Sequence, residues 1–140
     1  MSIEEAKQKL FQRIKEFYGD NLLSVVFYGA HLKGVLDEID VLVIIDKPYD
    51  PVKLNRVADF IEKIKEPLEK EYGYFIAFEL YTREEAENFH ASYLDIAKAC
   101  DVVYDREDYF KTLLKRMTDP HTSMEHVKYL TTIEILKKDE

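Results

Sequence analysis

The segment "SVVFYGAHLKGVLDEIDVLVIID", residues 24–46, decides the fold. Two apolar runs flank a short polar connection. "LLSVVFY", 22–28, has the length and the β-branched and aromatic content of a strand. "IDVLVIID", 39–46, is apolar on both faces, as a strand in the middle of a sheet must be. "AHLKG" after Gly29 allows a turn or one helical turn but no full crossover helix. The two strands are therefore expected to be antiparallel or nearly so, their connection forming a lip at one end of the sheet. The second strand is entered through Glu38 and Asp40. Residues two apart on a strand face the same way, about 7 Å apart along it. Two like charges on a mostly buried strand cost free energy unless a cation lies between them, and hard divalent cations take oxygen ligands. The blander alternative is a solvated turn in which Asp37, Glu38 and Asp40 merely mark the strand's entry.

Upstream, Ser2-x-x-Glu5 reads as a capping box, and Ile3, Ala6, Leu10, Ile14 and Phe17 recur at helical spacing until Gly19-Asp20-Asn21. Downstream, "KPYDP" stops the second strand and opens a helix over 52–71. Val57, Ile61, Ile64 and Leu68 form its stripe, and Pro67 is expected to kink it or end it early. "GYFIAFELY", 73–81, is a third strand. Thr82-x-x-Glu85 is a second capping box, opening a helix that turns Ala86, Phe89, Tyr93 and Ile96 inward. "DVVYD" is a candidate short fourth strand, followed by a helix over about 106–117. That helix carries Tyr109, Phe110, Leu113, Leu114 and Met117 on a stripe read as core, with a dimer face as the alternative. "YLTTIEIL" near the end leans towards a strand. The sum is one α/β domain over 1–140, a small mixed β-sheet flanked by helices, with 121–140 as a C-terminal extension.

A chain of 140 residues closes a single hydrophobic core. Its one cysteine, Cys100, excludes an internal disulfide framework and reads as a small packed residue. The net charge of −8 opposes coating of phosphate backbones, which disfavours a nucleic-acid partner. It does not oppose a nucleotide as small substrate, because a metal can neutralise a local site. No apolar run approaches membrane-spanning length and "MSIEEAKQKLF" has no signal-peptide pattern, so the cytoplasm is the expected location. His121 and His126 have the wrong spacing for one helical face, and neither a G-x-x-x-x-G-K loop nor a G-x-S-x-G elbow occurs.

Glu79 sits inside "YFIAFELY", where every other residue is apolar or aromatic. An isolated buried carboxylate costs several kcal/mol unless paired or neutralised, roughly 2–7 by transfer measures of polar groups. If the third strand lies beside the second, Glu79 can join Glu38 and Asp40 around one metal. The alternatives are a strand-end glutamate reaching solvent or one paired with a lysine.

At these residues the sequence resembles the polymerase-β-type nucleotidyltransferases, particularly their minimal prokaryotic and archaeal members. Their pattern is a hydrophobic strand, Gly-Ser, a short helix, an acid–hydrophobic–acid triplet opening the next strand, and a third acid on a later strand. Gly29 matches the glycine, Glu38 and Asp40 the paired acids, and Glu79 the third acid. "ELYTREEAENF" and "VVYDREDYFKTLLKRM" are similar to later segments of archaeal members, so the likeness spans residues 10–117.

The resemblance implies transfer of a nucleoside monophosphate, AMP from Mg·ATP, to a hydroxyl, with Mn²⁺ able to replace Mg²⁺. Glu38, Asp40 and Glu79 would be both catalytic residues and metal ligands, with Glu79 on the acceptor side. Gly29, Ala30 and Lys33 would meet the nucleotide's phosphates, with His31 in the same lip; the alternative for Lys33 and His31 is a solvated lysine and an ordinary turn histidine. A homodimer or a partner protein is expected to complete an acceptor site for so small a domain. Three positions depart from the pattern: Ala30 replaces the serine, Glu38 the usual first aspartate, and the connection His31–Asp37 is short. They open a second expectation, a catalytically degenerate fold acting as an antitoxin-like binding module.

Overall fold

The computed structural model of the protein describes residues 2–29 and 37–118. Ser2 caps the first helix, α1 (Ile3–Tyr18), its hydroxyl accepting from the Glu5 N–H. Ala6, Leu10, Ile14 and Tyr18 are the inward row of α1. Phe17, expected on that row, is 39% exposed, because the row steps by four from Leu10 and lands on Tyr18. The strands are β1 (Leu22–Tyr28), β2 (Glu38–Ile45), β3 (Phe75–Thr82) and β4 (Cys100–Asp105). They form one sheet in the order β3-β2-β1-β4. β1 runs antiparallel to both β2 and β4, whereas β2 and β3 are parallel. The expected mixed sheet, its central second strand and the fourth strand are all present.

Between β2 and β3 the chain crosses through α2 (Lys53–Phe60), a wide π-turn (Ile61–Lys65) and α3 (Glu66–Tyr72). In the π-turn the Glu66 N–H reaches the Ile61 carbonyl, five residues back. The buried row is Arg56, Phe60, Ile64 and Leu68, with Val57 and Ile61 only half-buried. A four-residue step overshoots the α-helical turn, and one wide turn brings the row back to the sheet. Pro67 falls at the start of α3, so the helix passes it without ending.

The Thr82 capping box forms in both directions, but the helix it opens is broken into α4 (Arg83–Ala86) and α5 (Ser92–Lys98). Ala86, Phe89, Tyr93 and Ile96 are buried as expected. The expected helix from 106 begins instead at Tyr109 as α6 (Tyr109–Thr118), after a tight turn in which Glu107 and Asp108 have φ of 55° and 54°. Phe110, Leu113 and Met117 of its stripe are core, while Tyr109 and Leu114 pack at its margin. The "YLTTIEIL" segment, His121 and His126 lie outside the described residues.

One core lies on each face of the sheet. Ile39, Val41, Val43 and Ile45 of β2 pack with α1 and the α2–α3 crossover. Leu42 and Ile44 pack with Phe89, Tyr93 and Ile96, and with Phe110 and Leu113 of α6. By strand periodicity Glu38 and Asp40 share this second face, at the end of β2 opposite Asp46. No helix among the described residues is long and apolar enough to cross a membrane.

Candidate active site

Glu38 and Asp40 stand together at the lip. Glu38 hydrogen-bonds Asp40, and this bond with the negative charge of Asp40 raises the Glu38 carboxyl above the ordinary range. The two carboxylates thus approach closely enough to share a proton. A cation between them would relieve the same repulsion. Gly29, at the end of β1, has φ of +71°, a conformation that favours glycine. A Cβ at that position would come within 2.2 Å of Asp40 Oδ2. The glycine therefore makes room for the Asp40 carboxylate as well as for the turn. Ala30, His31 and Lys33 lie outside the described residues.

Glu79 is on the same face, beside Leu42, which places it one pleat repeat further along than Asp40 with its neighbour Ala77. It is half-buried, and among the described residues it pairs with no lysine. Three hydroxyls donate to it instead: Tyr28 to Oε2, and Tyr81 (2.5 Å) and Ser92 (3.0 Å) to Oε1. Tyr28 belongs to β1 and pairs with Asp40 across the strands, so its ring spans β2 to reach β3. Burial, the hydrogen bond to Glu79 and the charges of Glu79 and Asp40 all push the Tyr28 hydroxyl's pKa up, so it remains a neutral donor. Tyr81 is held by a stack on His90, with ring centroids 4.0 Å apart.

Sequence reasoning missed Tyr28, Tyr81 and Ser92. Strand periodicity carried a signal for the tyrosines, since Tyr81 is two residues from Glu79 and Tyr28 adjoins Gly29. Nothing local pointed to Ser92. Among the described residues no three His, Cys, Asp or Glu side chains converge on one metal-sized position. The donor set at the lip still suits a hard cation: two carboxylates within hydrogen-bonding reach of each other, with backbone space kept open beside one of them. Tyr28 stands between Glu79 and that pair, its hydroxyl donating to Glu79 and its backbone pairing with Asp40. A separate groove of about 590 Å³ lies at the other end of β2, where Arg83, Arg106 and Arg116 face Asp46, Glu87 and Glu107. Its opposite charges balance, and it is remote from the acids.

The mixed four-stranded sheet flanked by helices is the minimal nucleotidyltransferase fold. Solved structures of that fold match almost the whole chain. A crystal structure from Shewanella oneidensis superposes with a TM-score of 0.60 at 10% identity, covering 97% of this chain and 99% of that one. A structure of the tri-AMPylated Shewanella oneidensis HEPN toxin in complex with MNT antitoxin gives 0.57 at 9% identity, over 94% and 98%. A toxin–antitoxin crystal structure with AMP-PNP gives 0.58 at 10%, also over 94% and 98%. No protein-family model matches the sequence, and no curated protein does.

Proposed function

We propose that the protein transfers a nucleoside monophosphate, AMP from ATP, to a hydroxyl acceptor. The observation that carries the reading is the Glu38–Asp40 pair at the lip, with Gly29 held open for the Asp40 carboxylate. Glu38 and Asp40 would hold Mg²⁺ or Mn²⁺. When bound, the cation supplies charge neutralisation for the triphosphate and its leaving pyrophosphate. Gly29 shapes the turn that, with Ala30 and Lys33, would face the phosphates. Glu79 is the acceptor-side carboxylate, and the hydroxyls gathered on it support that role.

The matched structures carrying AMP-PNP and an AMPylated toxin support the nucleotide and suggest where the acceptor resides. We place it on a partner protein, with a second copy of this chain as the alternative. Calorimetric titration of ATP with Mg²⁺ or Mn²⁺ into the wild type and Asp40→Ala tests the reading. Metal-dependent binding by the wild type alone is expected. No binding by a folded wild type would favour the second reading, a non-catalytic partner-binding module. What favours that second reading is the departure from the family pattern at Ala30 and Glu38 and in the short connection between them.

A further inference from the structure

An ionised carboxylate offers about four lone-pair positions, two on each oxygen. Tyr81 and Ser92 fill both on Glu79 Oε1, while among the described residues Oε2 receives only Tyr28. The two sets of donors come from different places. Tyr81 is the next same-face residue of β3 and is clamped by His90, with the Lys53 ammonium 5.0 Å from its ring centroid. Ser92 opens α5, whose Tyr93 and Ile96 pack in the core of this face. Tyr28 adjoins Gly29 and lies opposite Asp40, so its hydroxyl enters from the lip.

We propose that the two oxygens of Glu79 divide their work: Tyr81 and Ser92 anchor Oε1, while the Tyr28 hydroxyl occupies, on Oε2, the place of the acceptor hydroxyl. The inference rests on the nucleotidyltransferase reading and assigns Tyr28 as a positioning residue for the third acid. An incoming acceptor hydroxyl displaces one of the same chemical kind, so Glu79 Oε2 is presented already oriented towards a hydroxyl donor. While Tyr28 stays in place, its hydroxyl holds Oε2, and Glu79 does not join the paired acids around a cation.

The test is calorimetric titration of Mn²⁺ alone into the wild type, Tyr28→Phe, Tyr81→Phe, Asp40→Ala and Tyr28→Phe combined with Glu79→Gln. Circular dichroism checks the fold, and Tyr28→Leu is a second variant at the same position should the phenylalanine misfold. Tyr28→Phe keeps the ring and frees Oε2, so Mn²⁺ binding is expected to tighten about tenfold, the scale on which residues that orient a ligand tune metal affinity. Tyr81→Phe is expected not to tighten it, although it removes a hydrogen bond to the same carboxylate. Adding Glu79→Gln is expected to erase the gain. Wild-type binding that Tyr28→Phe leaves equal or weaker overturns the Tyr28 assignment and leaves the paired-acid reading standing. A gain that survives Glu79→Gln also overturns the assignment. Mn²⁺ binding by no folded variant, or unchanged binding by Asp40→Ala, sinks the paired-acid reading and this inference with it.

Discussion

Gly29 and Gly73 make a natural experiment at the scale of single residues, because both have positive φ, +71° and +78°. Gly73 ends α3 and a Cβ there meets nothing, so Gly73→Ala costs only backbone strain, about 1 kcal/mol. At Gly29 the same strain is joined by a collision with Asp40 Oδ2. Gly29→Ala is therefore expected to lower the unfolding free energy further, by about 1–3 kcal/mol, and to shift Asp40. Urea denaturation measures the stability difference between the two variants. Metal titration should show a loss for Gly29→Ala and none for Gly73→Ala. Equal behaviour of the pair would show that Asp40 yields freely. The acids were legible in the sequence because charge is conspicuous in apolar strands: Glu38 and Asp40 through the period of two, Glu79 through its neighbours. What surrounds Glu79 was not. Tyr28 and Tyr81 are two of ten tyrosines, which in a sequence read as core, and Ser92 reaches the site only through tertiary folding.

Strands were easier to read than helices at the scale of elements, and the reason is physical. A strand's limits follow from apolar content, and β1 and β2 match their expected spans to within a residue. Helix limits depend on partners distant in sequence. The π-turn at Ile61–Lys65 answers to the sheet beneath it, and it moved the buried row from Val57 and Ile61 to Arg56 and Phe60. The start of α6 is set by Asp105 across the intervening turn. Its carboxylate accepts from the Phe110 N–H at 2.8 Å, the Lys111 N–H at 2.9 Å and the Ser24 hydroxyl at 2.7 Å. Ser24 is fully buried, so Asp105 satisfies the end of one helix and a polar group inside the sheet together. Asp105→Ala is expected to cost about 2–4 kcal/mol, a lost cap plus an orphaned buried hydroxyl. Ser24→Ala in that background should restore part of the loss by removing the orphan. A urea-denaturation double-mutant cycle reads both, and strictly additive costs would show that the two groups are uncoupled.

The two ends of β2 do different work in the whole molecule. At the lip the carboxylates crowd one another. At the other end Asp46 gathers segments from across the chain: its N–H donates to the Asn21 carbonyl at 2.7 Å, and its carboxylate takes Arg83 at 2.8 Å and Arg106 at 3.5 Å. Arg106 also donates to the Asp20 carbonyl, so the exit of α1, the start of α4 and the turn before α6 meet there. The Arg83 hydrogen bond, with the charges of Arg83, Arg106 and Lys47, outweighs burial and holds the Asp46 carboxyl below its usual range. A depressed folded-state pKa contributes stability above the unfolded value, near 4, and that contribution is lost as pH falls through the folded value. Because the groups are partly exposed, the contribution is about 1 kcal/mol or less. Asp46→Asn is thus expected to be less stable than the wild type near about pH 7, with the two converging as the pH falls below the unfolded value and through the lower folded one. Urea midpoints across that range measure it, and a gap that stays constant with pH would show that the Asp46 charge contributes nothing. With Asp46 and the lip at opposite ends of a rigid central strand, the same substitution should leave Mn²⁺ binding at Glu38 and Asp40 unchanged. A loss of binding in a folded Asp46→Asn would mean instead that the far ion pairs help to set the register holding those acids beside Gly29.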